Sequence, residues 1–301
     1  MKTAVSVGHF DAVHVGHLAL VHKARELVGQ DGCVEMWSFD PSPMSVINPR
    51  LDFGRLTTFD QRTKLLLDAG ADDVIMIKPN LSLLSQTPEG FVSSICSKSN
   101  PDFFVEGKGF RFGENRSGNN EILRQLGKQY NFTSIEVGEI EVELSDGVMC
   151  CASSTLVRSL MLEGRVEDAT RVLGRPVQVQ GNVVKGNQRG QTMGIPTANL
   201  VDIDLMLPKS GIYAGTAIVD DETYISAISI GTNPTFGSNG MVVCEVHLIG
   251  YDGPLNHYGW RLSVNINNRI RDQLKFDSQE KLREAILSDI ETSVKLVESN
   301  R

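Results

Sequence analysis

Two histidines three residues apart, His14 and His17, carry the clearest chemical signal in this chain. They follow an apolar run over residues 3–7 that predicts a strand, and they precede apolar residues at helical spacing that end at Gly29. The first amides of a helix lack partners within the helix, and the helix dipole makes that end positive, so such a junction binds anions. Imidazole N–H groups donate to phosphate oxygens, and Gly16 lets the backbone approach a ligand closely. The junction therefore predicts nucleotide chemistry.

The histidines have two other interpretations. Four of the six histidines lie between His9 and His22, which is a reason to consider a zinc site. No cysteine or carboxylate stands nearby at a matching spacing, which disfavours zinc. A purely structural role is also disfavoured, because two buried histidines would each need polar partners. His22 falls on the polar face of the predicted helix, where we expect it to be solvated.

Composition limits the class of protein. The chain of 301 residues is long enough for two domains, and its hydrophobic fraction of 41% is ordinary for globular proteins. A formal net charge of -8 argues against broad binding to nucleic acid or to anionic membranes. No apolar run in the sequence has the length of a membrane span, and the five cysteines do not resemble a disulfide framework. We therefore expect a reduced, cytoplasmic protein.

The two halves of the chain have different patterns. Strand-like and helix-like segments alternate over the first 150 residues or so, which predicts a parallel sheet with helices on both faces. Ligands of such sheets bind at the C-terminal ends of the strands, where the histidine junction lies. Successive short strands follow, which favours a small antiparallel barrel or sandwich, and a final helix begins at Asp277. The predicted strands are 3–7, 33–39, 73–77, 103–106 and 132–137, then 179–184, 212–219, 224–230, 242–249 and 261–266.

Two further segments of the first half have chemical interpretations. Ser153, Ser154 and Thr155 precede a predicted helix, and three hydroxyls there are consistent with a simple helix cap. Arg158, one turn later, favours a polyphosphate site instead, because it adds a guanidinium to the hydroxyls and the helix-start amides. The glycine-rich segment 107–113 contains two phenylalanines, so it is either a plain turn or a floor for a flat ring system.

Together these segments resemble the bacterial family of bifunctional riboflavin kinases and FAD synthetases. Four of the family's patterns are found in the first half of the chain, and their combination is much more specific than any one of them. The nucleotide loop matches at Gly8, Phe10, Asp11, His14, Gly16 and His17, the Phe-x-Pro-x-Pro loop at Phe39, Pro41 and Pro43, the Ser-Ser-Thr-x-x-Arg signature at Ser153, Ser154, Thr155 and Arg158, and the strand-end motif at Gly107, Phe110, Phe112 and Gly113.

The resemblance implies that residues 1–170 form a Rossmann-like nucleotidyltransferase domain that joins FMN and ATP to give FAD and pyrophosphate. The FMN phosphate is largely ionised at pH 7, so its attack on the α-phosphorus needs no general base. Catalysis is then positioning and neutralisation of the departing pyrophosphate. Asp11 would hold a ribose hydroxyl or orient a histidine, and the sequence leaves both open. The residues assigned to catalysis are His14, His17, Ser154, Thr155 and Arg158.

By the same resemblance, residues 171–301 form a riboflavin kinase domain, an antiparallel barrel that ends in a helix. The family's kinase signature matches at Gly190, Pro196, Thr197 and Asn199. In that signature the threonine and the asparagine bind Mg²⁺ and the ATP phosphates, which suits hard oxygen donors. The two residues alternate along the chain, so in an extended segment they share one face.

Glu245 matches the family's catalytic glutamate, whereas a lone strand carboxylate would otherwise be read as solvated. The 5′-hydroxyl of riboflavin must lose a proton before it attacks ATP, so a positioned base helps. Arg271 lies in a segment that resembles the one that closes over the flavin in proteins of this family. The implied ligands are ATP, riboflavin, FMN and FAD, with Mg²⁺ and with no nucleic acid or membrane, and the oligomeric state is left open.

Four positions depart from the family's patterns, and we expect both activities with altered flavin affinity. Ala12 replaces a glycine, which penalises a positive backbone angle, and Gly109 lacks a side chain that would contact flavin. Gln191 replaces an arginine, which removes a charge near phosphate, and Gln273 replaces a glutamate. The alternatives are an enzyme with one activity and a degraded second domain, or a flavin or nucleotide sensor. Glu245 argues against a sensor, because binding alone needs no base.

Overall fold

The computed structural model describes residues 1–50, 54–185, 193–232, 242–253 and 258–299. The chain divides into two compact units. Unit 1 comprises Met1–Val142 with Met149–Ser154, and unit 2 comprises Glu143–Val148 with Thr155–Arg301. No helix in the described ranges is both long enough and apolar enough to cross a membrane.

A five-stranded parallel sheet forms the centre of unit 1. The strand order is β3-β2-β1-β4-β5, so the order changes direction between β1 and β4. All the strands that the sequence pattern predicts here are present, and the predicted parallel sheet is confirmed. The strands are β1 (Thr3–Gly8), β2 (Cys33–Phe39), β3 (Asp73–Ile77), β4 (Phe103–Gly107) and β5 (Thr133–Val137), and a separate small sheet pairs β6 (Glu141–Glu143) with β7 (Met149–Cys151).

Helices cover both faces of this sheet because successive strand residues point to opposite sides. Ala4, Val34 and Val105 pack in one apolar cluster with α1 and α3, whereas Val5 and Phe104 pack in another with α5 and α6. Side-chain caps begin two of these helices: Thr58 and Gln61 form a capping box at α3, and Thr87 caps α5. The helices are α1 (Val15–Val28), α2 (Pro43–Ile47), α3 (Phe59–Asp68), α4 (Leu81–Leu84), α5 (Pro88–Ser99) and α6 (Asn120–Tyr130).

A closed antiparallel barrel forms the centre of unit 2, which confirms the predicted barrel. Its strand order is β10-β11-β12-β9-β8-β13, and β13 closes on β10. The final helix begins at Gln279 rather than at Asp277, because the Ser278 hydroxyl accepts from the Lys281 amide and caps it. The elements are α7 (Ser154–Glu163), α8 (Val166–Leu173), β8 (Val177–Val184), β9 (Ala198–Val201), β10 (Gly211–Val219), β11 (Glu222–Thr232), β12 (Val242–Leu248), β13 (Arg261–Arg271) and α9 (Gln279–Ser299).

One strand of the barrel is not indicated by the sequence pattern. β9 has only four residues, and it follows Gly194 and Pro196, which are typical of a turn. Hydrogen bonding to β12 on one side and to β8 on the other makes it a strand. Asn199, the last residue of the segment predicted to carry kinase chemistry, is therefore held within the barrel wall.

Candidate functional site

Three of the predicted motifs of unit 1 lie at one edge of its sheet. Gly8, Phe39 and Gly107 are the last residues of β1, β2 and β4, which are neighbours and parallel. The ladder between β1 and β4 joins Ala4–Val5 to Phe103–Phe104, short of both strand ends. Ligands of parallel sheets bind where the strand order reverses, at the C-terminal ends of the strands. Three loops therefore lie at this edge of the sheet. They are the histidine loop (residues 9–17), the Phe39 loop (residues 39–43) and the aromatic loop (residues 107–113).

The two predicted histidines come together at the start of α1. Their rings stack with centroids 3.7 Å apart, and the edge of Phe10 packs against His17 at 5.3 Å. His14 caps α1, since its Nδ1 accepts from the Gly16 amide at 3.2 Å, and this bond places the imidazole proton on Nε2. A Cβ at Gly16 would lie 3.0 Å from Cε1 of His14, so a side chain there would displace the ring. The loop thus presents imidazole donors beside the helix-start amides.

The backbone of this loop is strained. Phe10, Ala12 and Val13 have φ angles of 49°, 75° and 43°, in the left-handed region that disfavours residues with a Cβ. Ala12 does adopt the positive φ for which the sequence predicts a penalty. Such a conformation persists only where the surroundings hold it.

Asp11 provides much of that support. Its carboxylate is only 2% exposed and accepts from the Thr57 amide and the Thr57 hydroxyl at 2.9 Å each, and from the Leu56 amide at 3.2 Å. The carbonyl oxygen of Asp11 accepts from the Ser154 hydroxyl at 2.7 Å. Asp11 thus fixes the histidine loop to the turn before α3 and to Ser154, which belongs to residues 153–158, here called the hydroxyl segment.

The hydroxyl segment spans the division between the units. Ser153 and Ser154 belong to unit 1, while Thr155 and Arg158 belong to unit 2. Both of the latter lie on α7, where a spacing of three residues puts them on one side of the helix. Thr155 is exposed and Arg158 is half-buried.

The two phenylalanine rings of the aromatic loop differ in burial. Phe112 is buried against Phe91, with centroids 5.8 Å apart. Phe110 stacks on Phe112 at 5.1 Å and is half-buried, so it forms the outer member of the stack. Asn120, at the start of α6, donates to the carbonyl oxygen of Gly107 at 3.1 Å. The loop can therefore offer a flat apolar face on a fixed strand end.

Asn199 and Glu245, two of the residues predicted to carry kinase chemistry, lie side by side on the barrel of unit 2. Asn199 of β9 lies opposite Glu245 of β12 in the strand register, so their side chains share a face. Asn199 is 6% exposed, and its Oδ1 atom has no hydrogen-bond partner in the described part of the chain. Thr197 lies two residues before it, and the Nδ1 atom of His247 lies 2.8 Å from the carbonyl oxygen of Pro196. This arrangement puts the side-chain oxygen of Asn199 and the Glu245 carboxylate on the same face of neighbouring strands.

The other predicted residues of unit 2 have separate positions. Arg271 forms a bidentate ion pair with Asp289 of α9, with N–O distances of 2.9 and 2.6 Å. Gln273 donates to the Ser229 hydroxyl and to the Ile230 carbonyl at 3.2 Å each, so its amide joins the end of β13 to β11. Gly190 and Gln191 lie outside the described residues.

Among the described residues, no three or more His, Cys, Asp or Glu side chains are grouped so that they could hold a metal ion. All five cysteines are free thiols. A cation held by phosphates together with Asn199 and Thr197 would not belong to such a group, because neither residue is of those types.

Two buried charged residues near the sheet edge were not indicated by the sequence. Arg62 of α3 is fully buried, and its guanidinium donates to carbonyl oxygens at the ends of β1 and β2. Its position four residues before the buried Leu66 is the only signal that could have found it. Glu106 of β4 is 2% exposed and accepts from the Val7 amide at 2.8 Å. Burial raises the pKa of Glu106 well above its ordinary value, and the Val7 bond offsets this only in part.

Family models match most of the chain. The family model described as FAD synthetase matches residues 1–148, and the one described as riboflavin kinase matches residues 173–297. Each match covers one of the two sequence patterns described above.

Individual relatives agree along the whole length. The bifunctional riboflavin kinase/FMN adenylyltransferase of Buchnera aphidicola subsp. Schizaphis graminum is 33% identical over 96% of this chain and 92% of its own length. Its counterpart in Escherichia coli K12 is 29% identical over 95% of this chain and 90% of its own length. A crystal structure described as a macrolide-efflux protein from Streptococcus pneumoniae superimposes with a TM-score of 0.86 at 28% identity, covering 97% of this chain and 93% of that one. The fold is therefore shared over nearly the entire chain.

Proposed function

The chain belongs to the bifunctional riboflavin kinase/FMN adenylyltransferase family, and we propose that each of its two activities resides in one domain. Residues 171–301 phosphorylate riboflavin to FMN, and residues 1–170 adenylylate FMN to FAD with release of pyrophosphate. The observation that carries this proposal is the separation of the two motif sets, since the histidine loop lies on the sheet and the Asn199–Glu245 pair lies on the barrel. The two family models match on either side of the proposed boundary.

For adenylyl transfer, an oxygen of the FMN phosphate attacks the α-phosphorus of ATP, and the bond to the β-phosphate breaks. Pyrophosphate leaves with the electron pair, so negative charge develops on the leaving group. His14 and His17 donate hydrogen bonds to that charge from the start of α1, and the stacked rings support this role. The match to the Ser-Ser-Thr-x-x-Arg signature is the support for the remaining donors, which are the hydroxyls of Ser153, Ser154 and Thr155 and the guanidinium of Arg158.

The substrates of this domain are held by the loops at the sheet edge. Gly8, Phe10, Asp11 and Gly16 shape the loop that receives ATP, and the buried Asp11 carboxylate supports a role in holding that loop. Phe39, Gly107 and Phe110 lie at or just beyond the neighbouring strand ends, where an aromatic face suits the flavin ring.

For the kinase reaction, Glu245 accepts the proton of the riboflavin 5′-hydroxyl as the oxygen bonds to the γ-phosphorus of ATP, and ADP leaves. Its register pairing with Asn199 supports this role, because Asn199 is one of the residues proposed to bind the phosphates. Gly190 and Pro196 belong to the same binding segment, and Arg271, through its pair with Asp289, orders the chain after β13 on the flavin side.

Mg²⁺ fits the kinase motif. The Oδ1 atom of Asn199 is buried without a hydrogen-bond partner in the described residues, and an unpaired buried oxygen is a ready cation ligand. The Thr197 hydroxyl is a second oxygen ligand two residues away. When bound, Mg²⁺ neutralises charge on the ATP phosphates. The proposed ligands are thus ATP, riboflavin, FMN and Mg²⁺, the proposed location is the cytoplasm, and nucleic acid and membrane are not proposed partners.

Two substitutions separate the activities in one polypeptide. Glu245→Gln should abolish FMN formation from riboflavin and leave conversion of added FMN to FAD unchanged. His17→Gln should have the opposite effect, so that FMN accumulates and FAD does not form. His22→Gln is the matched control, since His22 is exposed on the same helix as His17 and should leave both rates unchanged. Loss of both activities in either variant would contradict the division between the domains.

A further inference from the structure

Arg62 occupies an unusual place for a charged side chain. It lies on α3, has no exposed surface, and points at the edge of the sheet where β1 and β2 end. Arginine is almost never fully buried unless its donors are paired. Here Nη1 donates to the carbonyl oxygen of His9 at 2.6 Å and to that of Phe39 at 2.8 Å, and Nη2 donates to the Asp40 carboxylate at 2.5 Å.

The two carbonyl groups belong to the two loops that the proposed function uses. His9 is the residue before Phe10, where the strained part of the histidine loop begins. Phe39 ends β2 and begins the loop that contains Asp40. Because one nitrogen atom binds both carbonyl oxygens, movement of either loop requires that a buried hydrogen bond break or that the other loop follow.

We propose that Arg62 is a positioning residue for adenylyl transfer, which holds the loops after β1 and β2 in one fixed relation. This inference rests on the proposed assignment of that reaction to residues 1–170. Arg62 supports the histidine loop at its start, as the Asp11 carboxylate supports it at its centre. Together they keep the backbone in a conformation that it would otherwise leave, so that His14 and His17 stay aligned with the phosphates.

The chemistry of the guanidinium explains why an arginine is needed. Its planar fork directs donors at several acceptors at once, whereas a lysine ammonium is a flexible point charge. Burial lowers the pKa of Arg62, but the adjacent Asp40 carboxylate opposes this effect and favours the charged form. Arg55 also pairs with Asp40, at 3.3 Å, but its side chain is partly exposed.

The test compares Arg62→Met, Arg62→Lys and the control Arg55→Met in the full-length chain. For FMN adenylylation we expect Arg62→Met to lower kcat by about tenfold to a hundredfold, with a much smaller change in the KM for ATP, because alignment matters most in the transition state. Arg62→Lys should recover part of the loss. Arg55→Met should stay within about twofold of the parent, since it removes only an exposed ion pair. Riboflavin phosphorylation in the same samples should not change, which controls for the amount of enzyme and for the folding of unit 2.

Amide hydrogen exchange gives a second readout that does not depend on activity. We expect Arg62→Met to speed exchange over residues 9–17 and 39–41 together, and Arg55→Met to leave both segments unchanged. A normal kcat in Arg62→Met, equal losses in the Arg62 and Arg55 variants, or faster exchange in one loop alone would overturn the proposal. If the parent protein forms no FAD from FMN, the assignment of the reaction fails instead, and exchange alone then decides whether Arg62 joins the loops.

Discussion

Removing the carboxylate of Asp11 should both destabilise unit 1 and impair adenylyl transfer. In Asp11→Ala, the amides of Leu56 and Thr57 and the Thr57 hydroxyl lose their shared acceptor in a buried place. Each buried donor left unpaired costs about 1–3 kcal/mol. With three donors, and with some relaxation, we expect a loss of about 3–5 kcal/mol in the free energy of unfolding of unit 1.

The assay is urea unfolding followed by tryptophan fluorescence. The chain has two tryptophans, and Trp37 is buried in unit 1 while Trp260 lies in unit 2. A Trp260→Phe background therefore reports on unit 1 alone. Asp31→Ala is a suitable control, because Asp31 is an exposed carboxylate in the same unit.

The same samples distinguish the possible roles of Asp11. If its carboxylate supports the loop, Asp11→Ala lowers the urea midpoint and the rate of FMN adenylylation together, while riboflavin phosphorylation persists. Asp11→Asn should be intermediate, because one side-chain oxygen remains to accept a bond. An unchanged urea midpoint with adenylylation lost would refute this reasoning and would show that the carboxylate acts on a substrate.

Burial governs three other expected outcomes. Because burial raises the pKa of Glu106, the parent protein should lose stability as the pH rises above about 4.5. The urea midpoint of Glu106→Gln should therefore be higher than that of the parent at pH 8 and equal to it below pH 4.5. Burial raises the pKa of Cys244 to about 12, so maleimide at pH 8 should label the exposed Cys151 first and Cys244 only in urea, as mass spectrometry of peptides can show. Burial alone would raise the pKa of Asp168, but hydrogen bonds from Ser145 and Arg165 hold it below its ordinary value. Asp168→Asn should therefore lower the urea midpoint at pH 7. The parent should lose this contribution to stability as the pH falls through the lowered pKa.

The elements of this fold were largely predictable because local patterns determine them. The alternation of apolar strands and amphipathic helices gave the parallel sheet, and the Thr58 and Thr87 caps are local hydrogen bonds that the sequence shows directly. β9 was not predictable in this way. Its pairing partners lie far along the chain, and a four-residue strand after a turn carries no periodic signal.

The candidate site was predictable as a set of motifs but not as an arrangement. Residue types and spacing indicated His14 and His17, whereas Glu245 and the backbone penalty at Ala12 were indicated only by the resemblance to the family's motifs. That the loops after β1, β2 and β4 share one edge follows from the strand order, which the motifs do not contain. The burial of Arg62 depends on where α3 packs, and sequence patterns assign charged residues to the solvent-exposed face of a helix. They therefore do not indicate that this arginine is buried.

The most direct test of the two-reaction account is a time course with purified protein, riboflavin, ATP and Mg²⁺. Riboflavin, FMN and FAD are resolved by chromatography while ADP and pyrophosphate are measured. We predict that FMN rises first and then falls as FAD accumulates, with one ADP released per FMN formed and one pyrophosphate per FAD formed. FMN that accumulates without FAD would contradict adenylyl transfer in unit 1, and no product from either riboflavin or added FMN would contradict the enzyme assignment altogether.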